Sequence, residues 1–240
     1  MILLGTVVNA AAIIVGALIG RLLAGIPESI RQTVMQGIGL AIILLGMKMG
    51  FGTNHFLLVI ISMVLGSIIG EMIGIEKGLN RAGHWLERKM GGSRQGSIAT
   101  GFVTATLVYC IGAMAVLGAM DSGMRNNHDI LYTKAMLDGF SAIVFTSTLG
   151  IGVLFSAVPV LIYQGLIAIL STQIYDFVSK EMLDAMLVEL TAVGGLMIVA
   201  IGINVLELKK INVANMLPAL VIAALGVPVM EWLTVWFGAK

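Results

Sequence analysis

Two stretches hold the groups best placed to handle a solute in this chain. One carries Thr104, Thr106, Cys110 and Gly112; the other carries Asp138, Ser141, Thr146, Ser147, Thr148 and Gly150. Hydroxyl and small side chains let apolar helices approach closely and bond to one another, so packing alone accounts for their use. They also permit chemistry. Gly150 and Gly152 weaken any helix through residues 146–152, and the hydroxyls there can replace a freed backbone partner. A helix broken deep in apolar surroundings is tolerated where it lines a polar cavity, and its ends present dipoles to an ion or solute. Cys110-Ile111-Gly112 would meet that break from a related position.

Other polar groups stand alone in apolar runs. Asn9, Gln164 and Asn204 are costly in hydrocarbon and should face protein or water. Glu71 and Glu231 fall towards the ends of apolar stretches, where they could act as two gates or simply reach for water. Glu189 and Glu207 carry the same ambiguity. Asp138 reads as a helix N-terminal cap more readily than as a proton carrier. With Cys110 as the one cysteine and His55, His84 and His128 in predicted loops, neither a disulfide nor a Cys/His metal framework is expected. The 16 Met residues are scattered without a repeated MxxM pattern, which suits packing better than soft-metal binding. No GxxxxGK[ST], HExxH or GxSxG occurs, and no nucleophile–base pair sits at matching depth. An enzyme is therefore not expected, and no cofactor or metal is implied.

The elements that must position these groups are membrane helices. The chain of 240 residues is 58% hydrophobic and 11% charged, with mean hydropathy +1.02. Residues 97–120, 139–175 and 211–230 hold no Lys, Arg, Asp or Glu. Each is long enough to cross about 30 Å of hydrocarbon as a helix. A net charge of +1 gives no electrostatic case for nucleic acid. The apolar N-terminus has no basic residues ahead of it and reads as a first span, not a cleaved signal. Eight spans are predicted, at 2–24, 33–51, 55–75, 97–120, 135–156, 158–177, 187–207 and 212–236. Ala157-Val158-Pro159 is the only break between the fifth and sixth, with Pro159 opening the sixth, and a re-entrant pair is the alternative.

Orientation follows from Lys and Arg. Arg21, Arg31, Lys77, Arg81, Arg88, Lys89, Arg94, Lys209 and Lys210 fall on one side; Lys48, Arg125, Lys134, Lys180 and Lys240 fall on the other. The richer side should be cytoplasmic, with both termini outside. Residues 31–75 and 188–236 then form two inverted copies of one pattern. Gly39-Leu40 matches Gly195-Leu196, Gly46 matches Gly202, and Leu65-Gly66 matches Leu225-Gly226, with Glu71 and Glu231 each five residues on. The central spans match at an offset of 38, Cys110-Ile111-Gly112 against Thr148-Leu149-Gly150.

The expected architecture is all-α and polytopic: a three-span repeat over 1–75, a connector over 76–96, a central pair over 97–156, and a second repeat over 157–240. Within the connector, Leu79, Ala82, Trp85, Leu86 and Met90 recur at helical spacing between Lys77, Arg81, Arg88 and Lys89. That suits an amphipathic helix in the lipid interface, as an anchor or as a regulatory site. Residues 121–134 read as a solvated external connection.

The stretch from Tyr109 to Ala115, and above all the stretch from Ser147 to Gly165, resemble the YdfK/YqgA-type bacterial membrane proteins. The likeness runs along nearly the whole chain, including the N-terminal GTVVNAAAIIVGALIG. This domain-of-unknown-function family is often given a transport label, and the resemblance implies a bacterial plasma-membrane location without assigning any residue a role. The function expected is transport of a small solute or ion, by a secondary carrier or else a channel. The rival is a sensor or scaffold acting through residues 76–94. The partners expected are the bilayer, that solute, and a second copy in a homodimer.

Overall fold

In a computed structural model describing residues 1–22, 28–90 and 97–237, every regular element is helical. The helices are α1 Leu4–Leu22, α2 Glu28–Gly50, α3 Phe56–Ile73, α4 Ile75–Met90, α5 Ser97–Cys110, α6 Ala113–Arg125, α7 Asp129–Leu149, α8 Ala157–Phe177, α9 Lys180–Val205 and α10 Pro218–Phe237. Two short 3-10 turns, Ile151–Ser156 and Val213–Met216, lead into α8 and α10. Large apolar side chains stand exposed along most of them, Leu44, Ile68 and Ile162 among them at more than half. Water would not tolerate so much contiguous apolar surface, whereas lipid matches it.

Of the eight spans expected, six helices among the described residues are long and apolar enough to cross a membrane, or seven if α5 and α6 count as one span bent by 62°. The remaining segment, α7, carries Lys134, Asp138 and several hydroxyls, which dilute its apolar character. It also starts earlier than predicted, at Asp129 instead of 135, and stops at Leu149. The break before α8 therefore falls at Gly150, ahead of the Ala157-Val158-Pro159 break the sequence suggested, although Pro159 does lie in the first turn of α8. The external connection read at 121–134 shrinks to residues 126–128, because α6 runs on to Arg125 and α7 begins directly after.

The chain forms two compact units: Met1–Ile38 with Lys77–Ile174, and Gly39–Glu76 with Tyr175–Lys240. In the first, α1 and α7 pack along most of their lengths. A Cβ added to Gly5 would press on Leu131, one on Gly16 would strike the carbonyl oxygen of Gly139, and one on Gly20 that of Ile143. Both numbers rise together, so the two helices run parallel with their backbones nearly touching.

In the second unit the order reverses. Gly39 of α2 meets Gly202 and Leu206 of α9, while Gly46 meets Gly195 and Val199, so α2 and α9 are antiparallel. Likewise Gly66 of α3 faces Ala219, and Gly226 of α10 faces Leu58. The connector does form a helix, α4: Gly83 is buried against Ala99, Leu79 and Leu86 are half-buried, and Lys77, Arg81, Arg88 and Lys89 are exposed. Ala82 and Trp85 of the predicted apolar stripe are exposed too, and the side chain of Met90 lies outside the described residues. Arg94 lies outside the described residues.

Candidate functional site

A polar cluster lies inside the first unit, on three helices. Lys134 and Asp138 stand one turn apart on α7, and the ammonium reaches both carboxylate oxygens, at 2.9 and 2.8 Å. From α1, Asn9 donates through Nδ2 to Asp138 Oδ2 at 3.1 Å. The same Nδ2 donates to Gln164 Oε1 of α8 at 3.3 Å. Asn9 and Gln164 have no exposed surface, and Lys134 and Asp138 are less than a tenth exposed. The close α1–α7 packing at Gly5 and Gly16 is what brings Asn9 onto the α7 carboxylate.

The cluster is charged but balanced. A single buried ion would be very costly, and each member of the pair supplies the counter-charge of the other. Buried ionisable groups held by specific polar partners are candidates for a functional site. Asp138 is the tenth residue of α7, so the reading of it as an N-terminal cap is overturned: Asp129 holds that end. Lys134, assigned from sequence to the outer loop, is instead part of this buried site. The i,i+4 Lys–Asp spacing was the signal for it.

Next to the cluster, Ser141 donates to Asp138 O of its own helix at 3.0 Å and sits 3.4 Å from the hydroxyl of Tyr109 on α5. Tyr109 is almost wholly buried and stacks on Phe145 with ring centroids 6.1 Å apart. Cys110 follows as the last residue of α5, a free and half-buried thiol. Two helix breaks flank these residues. Gly112, between α5 and α6, has φ 133°, and Gly150, after α7, has φ 94°. Only glycine adopts such backbone angles without strain, which explains its presence at both.

The other hydroxyls divide. Ser147 and Thr148 turn back onto α7 carbonyls, Ser147 to Val144 at 2.8 Å and Thr148 to Val144 at 2.9 Å, a local bond that also weakens the last helical turn. Thr104, Thr106 and Thr146 are buried, and the hydroxyls of Thr106 and Thr146 have no hydrogen-bond partner among the described residues.

Three predicted residues belong to the second unit and do not join the cluster. Asn204 braces the connector after α9, bonding both the N–H and the C=O of Ile211 at 2.7 and 2.8 Å. Glu71, exposed near the end of α3, accepts from Asn215 Nδ2. Glu231 is exposed on α10, towards the opposite end of the antiparallel α3–α10 pair. This unit has its own buried carboxylate. Glu189, the tenth residue of α9, is 1% exposed and accepts from the Thr53 hydroxyl and, at 2.9 Å, from the Asn54 N–H. Among the described residues, no three His, Cys, Asp or Glu side chains gather that could hold a metal.

Comparison with known proteins agrees with a membrane protein. The chain is 31% identical over 225 residues to "Uncharacterized membrane protein YdfK" of Bacillus subtilis, covering 91% of this chain and 93% of that protein. It is also 31% identical over 239 residues to "Uncharacterized protein YqgA" of Escherichia coli, covering 98% and 99%. No solved structure matches it. The family described as "Protein of unknown function (DUF554)" matches residues 4–227. With apolar helices enough for several crossings and relatives that match end to end, this is a multi-pass membrane protein of the DUF554 family.

Proposed function

We propose that the protein carries a small solute or ion across the bacterial plasma membrane, with its site at the Lys134–Asp138–Asn9–Gln164 cluster. The observation that carries this reading is a buried, charge-balanced pair on α7 between two glycine helix breaks. Structure alone gives such a pair little reason to exist, since apolar residues of similar volume usually pack as stably or better. Helix breaks at membrane depth fit a site that must expose and release a polar cargo.

In this reading α7 is the eighth crossing, its charges hidden among helices instead of facing lipid. Both termini lie outside, and the chain is built from inverted repeats. The repeat is supported by the second unit: the matched glycines exchange contacts, Gly39 with Gly202 and Gly46 with Gly195, as a pseudo-twofold axis requires. Repeats of this kind underlie alternating access, which favours a carrier over a channel. The protein is not an enzyme in this account, needs no cofactor, and works as a homodimer.

The test is flux into liposomes holding the purified protein, for ions, amino acids, polyamines, organic acids and neutral solutes. Saturable uptake that disappears in Asp138→Asn protein supports the carrier. Protein-dependent current without saturation or counter-transport points to a channel. Absence of any flux, with folded protein in the vesicles, overturns both.

One observation favours a scaffold as a second reading. Trp85 of α4 is 53% exposed with the Lys89 ammonium 5.7 Å from its ring centroid, as suits a helix seated in an anionic interface. Deleting the basic charges of α4 should then remove the cellular phenotype while Asp138→Asn does not.

A further inference from the structure

Resting on the transport reading, we propose that Asn9 and Gln164 form a binding site for a small uncharged solute bearing both a hydrogen-bond donor and an acceptor, an amide or a polyol. The polarity of the cluster leads to this class. An ionised carboxylate only accepts, so Asp138 must face the Nδ2 end of the Asn9 amide. That nitrogen also donates to Gln164 Oε1, which fixes the direction of the second amide. Asn9 Oδ1 and Gln164 Nε2 are thereby turned away from the cluster. Neither has a hydrogen-bond partner among the described residues, and both side chains are fully buried.

Reversing an amide does not repair this. A flipped Asn9 would set its oxygen against the Asp138 carboxylate, lone pair against lone pair. The charge on Asp138 therefore imposes one orphaned acceptor and one orphaned donor, carried by two amides that are themselves 3.3 Å apart. The hydroxyl of Thr6, fully buried one turn before Asn9 on α1, is also without a partner among the described residues and adds a third polar group. Buried polar atoms left open in this way call for an occupant.

Charge decides between occupants. Lys134 and Asp138 already neutralise one another at 2.8 Å, so an anion or cation entering the site would sit without compensation in a low-dielectric interior. A neutral solute that donates to Asn9 Oδ1 and accepts from Gln164 Nε2 has no such penalty. Water could satisfy the same atoms but would give no solute specificity.

The experiment is stopped-flow light scattering on liposomes containing the full-length protein, challenged with urea, acetamide or glycerol, and in parallel with labelled acetate and methylammonium. The expected result is faster entry of at least one neutral solute, reduced about tenfold or more in Gln164→Leu and Asn9→Leu protein, the scale of one lost hydrogen bond. Should those variants fail to fold, Thr6→Val and the saturable thermal stabilisation of wild type by the same neutral solute provide the readout. Neutral solutes that enter no faster with wild type than with the variants overturn the inference. If charged solutes alone are carried, and Asp138→Asn abolishes that, the transport reading stands and the neutral-solute site falls. If nothing is carried, both fall.

Discussion

Lys134 and Asp138 close an ion pair at 2.8 Å within a single helix, with neither side chain more than a tenth exposed. Because the partners are four residues apart on α7, the pair forms with the helix itself and needs no long-range closure. The other side-chain bond to the Asp138 carboxylate is long-range: Asn9 arrives from α1, more than a hundred residues away in sequence. The α1–α7 contact can be close only because Gly16 and Gly139 lack side chains where the backbones meet. Glycine spacing on two helices thus sets the site as surely as its polar residues do.

That arrangement separates the contribution of the pair to stability from its part in transport. Lys134→Met leaves the Asp138 charge buried without a counter-charge, and Asp138→Leu does the same to Lys134. Each should cost about 3–5 kcal/mol, while the double variant should recover most of that loss. Thermal unfolding in detergent measures the recovery, and liposome flux measures function. All three variants are expected to be inactive. Wild-type flux from the double variant would remove the pair from the mechanism.

The two break glycines make a second, independent test. Gly150→Ala and Gly112→Ala each force a side chain into φ near 94° and 133°, and each should destabilise by about 1–3 kcal/mol. Gly37, inside α2 with nothing near its added Cβ, is the control. Gly37→Ala should be neutral or stabilising by up to about 1 kcal/mol. Equal midpoints for all three variants would mean that the breaks are not held in these conformations.

The break at Gly150 is legible in the sequence because glycine and clustered hydroxyls coincide there; the break at Gly112 is not, since it falls inside 97–120, which reads as one uninterrupted span. Nor is the start of α7. Lys134 and Asp138 look like interface charges when apolar runs alone define the spans, which starts the helix at 135 and makes Asp138 its cap. Only tertiary packing onto Asn9 and Gln164 lets two charges stay inside. The hydroxyls of Ser147 and Thr148 show the reverse case: their residue types suit a pathway, yet they turn to carbonyls of their own helix. Asn204, costly in hydrocarbon on sequence grounds, bonds the connector backbone at Ile211 and takes no part in the cluster.

The α2–α9 contact offers a test of the inverted repeat. A Cβ on Gly46 would lie 2.6 Å from the Gly195 carbonyl oxygen, and one on Gly195 would lie 2.6 Å from the Gly46 carbonyl oxygen. Neither backbone can yield cheaply, so Gly46→Val and Gly195→Val should each cost about 1–3 kcal/mol. Gly39 and Gly202 approach each other in the same manner, at 3.4 and 2.9 Å from the opposing carbonyl oxygens. Matched losses within each pair in thermal unfolding are expected. A large loss at Gly46 with none at Gly195 counts against a pseudo-twofold relation.

Glu189 allows a test in the second unit that needs no knowledge of the cargo. Its carboxylate, 1% exposed, ties down the α2–α3 connector through the Thr53 hydroxyl and the Asn54 N–H. Hydrogen bonds to a charged acceptor contribute about 1.5–3 kcal/mol each. Glu189→Gln keeps the size of the side chain but can offer only one oxygen to two donors. The Asn54 amide should therefore exchange with deuterium about tenfold faster or more, while amides within α9 keep their wild-type protection. Thr53→Val should have a smaller effect, because the Asn54 bond survives it. Unchanged exchange at Asn54 in Glu189→Gln protein would show that the connector is held by something other than this carboxylate.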